Sequence, residues 1–416
     1  MKQKTNVNEK GITIIALIIT IILLLSLVGV SINLVIKGNL FGSAEKAVSG
    51  TNDKTAQEQT RVDELMGELD KVEKQQKEQE EAEKQKNLLG KRVTENTKYV
   101  SNGKTAWIPK GFTVSGIKSE QSINKGLVIY DIPEGTTPDW SNPDSVKTKY
   151  NQFVWIPVEV KSSDTENSIA SFYRSKWTVN VSTGGERTTG LRTSYTEPDS
   201  TNDTADKTGI AGQITELTKS IYKYGGFYIG RYEAGSTKER TSSSLQIEPF
   251  VVQQDKYPYN YVKWGNSMSD VSEGAVYLCN NLYSLTNTNY GATSMLCTGA
   301  SWDSMLDFVK DSSHSVTDST TWGNYYNSET YTINRGKYAV YLDGTVGNFQ
   351  DVVNEYSKEK NKKILLTTGA TERNCSRNIY DVAGNVFEWT TESYPSSSRV
   401  YRGRWLQQRW FWRSSE

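Results

Sequence analysis

Residues 12–36, ITIIALIITIILLLSLVGVSINLVI, contain no Asp, Glu, Lys or Arg. As a helix rising about 1.5 Å per residue, a run of this length crosses a bilayer core with some tilt. The preceding tail carries Lys2, Lys4 and Lys10 against Glu9, which places it in the cytoplasm and the bulk of the chain outside. A cleaved secretory signal is the alternative, but the run is longer than such a signal needs and no small-x-small site follows it closely. The expectation is a single-pass protein of the cell membrane. Residues 1–11 form a cytoplasmic leader, 12–36 a transmembrane helix, and the C-terminal part is extracellular.

The junction Lys10-Gly11-Ile12-Thr13 resembles a type IV prepilin processing site, with cleavage between Gly11 and Ile12. In that family a glutamate stands five residues into the mature chain, and here the position is Ala16. The missing carboxylate argues against a filament subunit. A plain anchor is the preferred reading, and a pseudopilin-like part of a secretion or pilus system remains the alternative.

Residues 37–89 read as a charged helical stalk. Within 51–87 almost every position is Glu, Lys, Gln or another polar residue, yet Val62, Leu65, Met66, Leu69 and Val72 recur at helical spacing. Opposite charges three and four apart support a solvent-exposed helix. Two heptads of apolar positions allow weak coiled-coil self-association and no more.

At 416 residues the chain calls for a large globular unit beyond these appendages. Its 48 basic and 48 acidic residues balance, which removes any bulk electrostatic case for a nucleic-acid partner. Its 24 Tyr, 11 Trp and 10 Phe, with abundant Ser, Thr, Asn and Gly, suit a loop-rich recognition surface and equally suit an extracellular β-rich domain. Cys279, Cys297 and Cys375 are too few for a disulfide framework and show no zinc spacing. One histidine, His314, excludes any site that needs two imidazoles.

From Gly90 short apolar runs appear among Gly, Tyr, Trp and Thr. Residues 105–114, 126–131 and 153–158 predict strands, two of them closed by Trp-Ile-Pro. Residues 161–217 are Ser/Thr/Asp-rich and predict a long surface excursion. Residues 225–234, GGFYIGRYEA, predict a strong strand. A helix is expected over 267–283, with Met268, Val271, Ala275 and Leu278 on one face. A second, capped by serine or threonine, is expected over 299–309.

Close to the C-terminus lies NIYDVAGNVFEWTTESYPSSSRVYRG, residues 378–403. Its Asn378, Tyr380, Asp381, Gly384, Asn385, Glu388 and Trp389, followed by Arg402-Gly403, resemble the signature of the formylglycine-generating enzyme (sulfatase-modifying factor) family. The run Phe227 to Glu233, the Val262-x-Trp264 before the first helix and the Ser301-Trp302-Asp303 start of the second also resemble that family, in the same order. The resemblance implies an α+β, C-type-lectin-like domain over 90–403, with mixed short strands and two packed helices.

In the family the matching signature positions hold a structural calcium, which carries over to Asp381, Gly384, Val386 and Glu388. Carboxylates and main-chain carbonyls at this density are what a calcium ion needs. The competing reading pairs Glu388 with an arginine such as Arg402 and leaves Asp381 as a turn cap. The family's oxidases also use a copper-binding cysteine pair after their Arg-Gly-Gly, and related iron enzymes need three histidines. No cysteine follows Cys375 and there is one histidine, so no copper or iron site is expected and no catalytic residue is assigned.

The last residues, 404–416, leave the pattern. RWLQQRWFWR resembles an aromatic-cationic patch. Back-translated one base out of phase, however, it is compatible with the family's Gly-rich continuation, so this tail is expected to be out-of-frame translation. Similar domains serve as variable receptor-like proteins of diversity-generating retroelements. The expected function is a membrane-anchored extracellular binding module for an unidentified ligand or protein. The alternatives are an oxidase of the formylglycine-generating type whose catalytic tail is lost, and the pseudopilin-like component.

Overall fold

The computed structural model describes residues 48–172, 178–179, 186–187, 209–240, 248–266, 270–316, 318–342, 345–393 and 399–403. The leader, the Gly11–Ile12 junction, the expected span at 12–36 and the tail at 404–416 lie outside them. The chain divides into two units, Met1–Gln79 and Glu80–Glu416. Helix α1, Val48–Leu88, occupies most of the expected stalk. Its Leu65, Met66 and Val72 are exposed. Among the described residues no helix is long and apolar enough to cross a membrane.

The second unit mixes helices with several small sheets, compatible with the α+β class. Strands β1 (Thr97–Ser101) and β2 (Lys104–Ile108) pair as a hairpin. An antiparallel sheet runs in the order β3 (Thr113–Val114), β4 (Val128–Tyr130), β5 (Gln152–Pro157) and β6 (Gly226–Gly230). Alternation along these strands builds two cores, since successive side chains point to opposite faces. Val128, Tyr130, Val154, Ile156 and Phe227 join one cluster with Trp302, Met305 and Phe308. Ile129 and Trp155 join another with Ile108, Phe112 and Tyr283. Each fully buried aliphatic side chain contributes roughly 1.5–3 kcal/mol relative to exposure.

Three further helices cover this framework. Helix α2 spans Ile210–Tyr224 and leads through Gly225 into β6. It begins inside the stretch expected to be an irregular excursion. Ile210, Ile214, Leu217 and Ile221 are spaced at helical intervals, and all four join core clusters. Helix α3 is Gly274–Leu282 rather than 267–283, because Gly274 enters it at φ +85° and Ala275 N donates to Lys263 O. Helix α4, Gly299–Val309, has the expected cap, with Thr298 accepting a hydrogen bond from Ser301 N.

Strand β7 (Tyr331–Ile333) and the small sheet around β8 (Lys337–Leu342) follow. The latter pairs with β9 (Thr345–Val346), β10 (Gln350–Asp351) and β12 (Ile364–Leu366). Strand β11 (Tyr356–Lys358) lies against β7. The chain then makes the short hairpin β13 (Cys375–Ser376) and β14 (Ile379–Tyr380), and the longer one β15 (Phe387–Ser393) and β16 (Arg399–Gly403). The signature therefore begins in the turn of the first hairpin, at Asn378, and ends on β16.

A buried ion pair lies beside the first sheet, and its arginine also bonds Asn378. Arg231 and Glu120 meet at 2.7 Å, each with its side chain about 1% exposed. Burial alone would raise the Glu120 carboxyl, but the Arg231 guanidinium, Ser115, Lys147 and Tyr130 outweigh it and hold the group below its ordinary value.

Candidate functional site: the signature turn

Asn378 stands at φ +63°, a conformation asparagine tolerates better than most residues. From there its amide donates to Ser119 O, Lys125 O and Gly126 O, and its Oδ1 accepts from Arg231. Gly126 is obligatory opposite it, because a Cβ there would lie 1.8 Å from Arg377 O. Tyr380 donates its hydroxyl proton to Glu372 and stacks its ring near Tyr232.

Asp381, also at positive φ, accepts from Gly369 N at 2.7 Å and from Asn374 Nδ2 at 3.4 Å. Gly384 forms a bridge with Asn324, and a Cβ there would lie 2.3 Å from Asn324 O. Asn385 is fully buried and its side chain makes four hydrogen bonds to three residues. It donates to Glu233 and Leu366 O, and accepts from Asn324 Nδ2 and Leu366 N. Trp389 Nε1 donates to Val262 O.

Arg402 does not pair with Glu388, although the two residues face each other in the β15–β16 ladder. Its guanidinium forks onto both oxygens of Glu392 at 2.6 Å and lies 3.5 Å from Asp303. A bidentate fork to a fully buried carboxylate satisfies more donors than a single contact would. The alternative reading of Glu388 as an Arg402 partner is thereby overturned, and Asp381 accepts from Gly369 and Asn374, both outside its own turn. Glu233, Asn324 and Glu392 are the residues that sequence reasoning left out of the site.

Glu388 Oε2 is buried and has no hydrogen-bond partner. A Cβ built on Gly403 would have Val386 O, Glu388 Oε2 and Val382 O around it at 3.5, 3.6 and 3.8 Å, so these three oxygens surround one small space. Burial and the nearby Asp381 push Glu388 up to about 8. Burial likewise raises Asp381 to about 6 against the pull of its hydrogen bonds. Glu233 rises through burial and the neighbouring Asp381 and Glu388 charges. Three carboxyls thus feel one another without converging. Among the described residues no group of three or more acidic, cysteine or histidine side chains could hold a metal. A cation here has to take main-chain oxygens beside Glu388.

No protein-family profile, curated protein or solved structure matches the chain.

Two of the thiols, Cys279 and Cys375, offer little nucleophilic character. Burial pushes Cys279 up to about 12 and Cys375 up to about 11, and no disulfide joins the three cysteines. His314 bonds Asp311 in its own loop and packs edge-on against Trp322. A pocket of about 240 Å³ is lined by Glu159, Lys161, Ala170, Ser171, Asp303, Ser304 and Asp307. That volume is below the roughly 300–1,000 Å³ usual for small-molecule clefts.

Proposed function

We propose that the chain is a membrane-anchored extracellular binding module on a scaffold like that of the formylglycine-generating enzymes, with the C-type-lectin-like topology. Its signature serves as structure rather than as catalytic machinery. One observation carries this reading: four polar side chains of the signature are committed to holding the fold. Asn378 clamps three carbonyls, Asp381 accepts from Gly369 N, Asn385 makes four hydrogen bonds, and Arg402 is forked on Glu392. The raised thiols support it, because oxidase chemistry of that family needs a reactive cysteine pair.

Glu388 with the carbonyls of Val386 and Val382 is the part of the turn that suits a calcium ion, which takes six to eight oxygens and tolerates irregular geometry. Asp381 is less suited to direct ligation because N–H groups already occupy both of its oxygens. Bound calcium would supply charge neutralisation to the buried carboxyls and would pin β16 against the turn.

Intact cells expressing the full chain test this function with two readouts. Protease added outside is expected to release the globular part, and an added cysteine peptide of the sulfatase type, given copper and oxygen, is expected to stay unconverted. Protection of the globular part would contradict the surface location, and conversion of the peptide cysteine to formylglycine would favour the oxidase.

A further inference from the structure

The turn that meets the signature is held by positive charge. Asn324 N donates to Ala383 O, Asn324 O accepts from Asn385 N, and its side chain reaches Asn385 Oδ1 and Ile364 O. Immediately after Asn324, the backbone turns back through Tyr325, Tyr326 and Ser328. Lys358, at the end of β11 and paired across the ladder with Tyr331, sends its Nζ into this turn. It donates to Tyr325 O at 2.5 Å, Tyr326 O at 3.2 Å and Ser328 O at 3.4 Å.

The Lys358 residue is fully buried, and none of these bonds goes to a carboxylate. Arg373 grips the start of the same turn, donating to Gly323 O and Thr320 O, while its guanidinium lies 4.4 Å from the Tyr331 ring centre. The Lys358 ammonium lies 5.7 Å from that same ring centre. Five carbonyls of one turn therefore point at two cations. The side chain of Glu329, the acid in the turn, is 75% exposed and bonded to Lys360.

Carbonyl dipoles gathered this way are costly to bury unless a donor or cation satisfies them. We propose that the carbonyls of Tyr325, Tyr326 and Ser328 form a small cation site that the protein fills with the ammonium group of Lys358. This tethered cation locks the turn and, through Asn324, holds the signature. The ligand class of the emptied site is then a small ammonium-type cation bearing N–H donors. Lys358 is a positioning residue, since it touches the turn and the turn touches Asn385.

Full-length wild type, Lys358→Ala and Lys358→Met, in the same detergent, are unfolded in urea. Each is measured in methylammonium, ammonium and tetramethylammonium chloride at equal ionic strength. Lys358→Ala is expected to lose at least about tenfold in its folding equilibrium constant. It should recover most of that loss in methylammonium or ammonium, and none in tetramethylammonium, which has no N–H donor. Lys358→Met keeps the apolar stem in the space, so it should fall below wild type and ignore all three salts. A Lys358→Met midpoint equal to wild type overturns the proposal, even if Lys358→Ala does not accumulate. Equal recovery of Lys358→Ala in every salt, or no recovery at all, overturns it too.

Discussion

Asn385 uses every hydrogen-bonding position of its side chain, with two donors and two acceptor sites all engaged inside the fold. Replacing the amide nitrogen with oxygen keeps the shape but turns a donor toward the Glu233 carboxylate and Leu366 O into an acceptor. Asn385→Asp is therefore expected to cost about 3 kcal/mol or more, read as a fall in the urea midpoint. A midpoint within experimental error of wild type would remove Asn385 from its keystone position. Sequence alone could single out Asn378, Tyr380, Asp381, Asn385, Trp389 and Arg402 because together they resemble a known family's signature in one short stretch. It could not supply their partners. Glu233 lies about 150 residues upstream and reads as part of a strand, and Asn324 sits in a turn with no local pattern. Arg402 shows the same limit, since which of two nearby glutamates it takes depends on how the β15–β16 hairpin bulges between Trp389 and Ser393.

At the scale of elements, the strands before residue 235 and helix α4 were legible because alternation, closing prolines and a hydroxyl cap are local signals, whereas β7 to β12 went unread. Helix α2 was hidden by the polar composition around it, although Ile210, Ile214, Leu217 and Ile221 carry a helical period. The start of α3 was set by the left-handed Gly274 and by the carbonyls of Lys263 and Trp264, which no periodicity records. Strand β11 carries a pH prediction through Lys358. Burial, with a smaller push from Arg373 and an opposing pull from Glu329, lowers this amine to about 8 from an ordinary 10.5. The Tyr331 ring also faces it. The folded state then binds fewer protons than the unfolded one between those two values, so this group's contribution to stability rises with pH across that window. The gap in urea midpoint between wild type and Lys358→Met is expected to widen from pH 8 to pH 10. A constant or shrinking gap would mean that the three carbonyls hold the ammonium charged against the cost of burial.

For the molecule as a whole, the described residues give a mixed α and β unit whose first sheet has a core on each face, preceded in sequence by the long polar helix α1. The signature joins the parts of that unit. Asn378 reaches the loops before β4, Asn385 and Gly384 reach Asn324, and Trp389 reaches Val262 beyond the first sheet. The buried Glu388 Oε2 has no hydrogen-bond partner and lies beside two carbonyls and Gly403. If the signature is a scaffold that calcium completes, binding stabilises the fold by about 2.7 kcal/mol when the ion is at a hundred times its dissociation constant. The direct measurement is a calorimetric titration of calcium into the metal-free full chain, set against Glu388→Gln. Saturable binding is predicted for wild type. Glu388→Gln should bind at least about tenfold more weakly, while unfolding in chelator at a midpoint no lower than wild type. The absence of saturable binding, or unchanged binding in Glu388→Gln, would contradict the account.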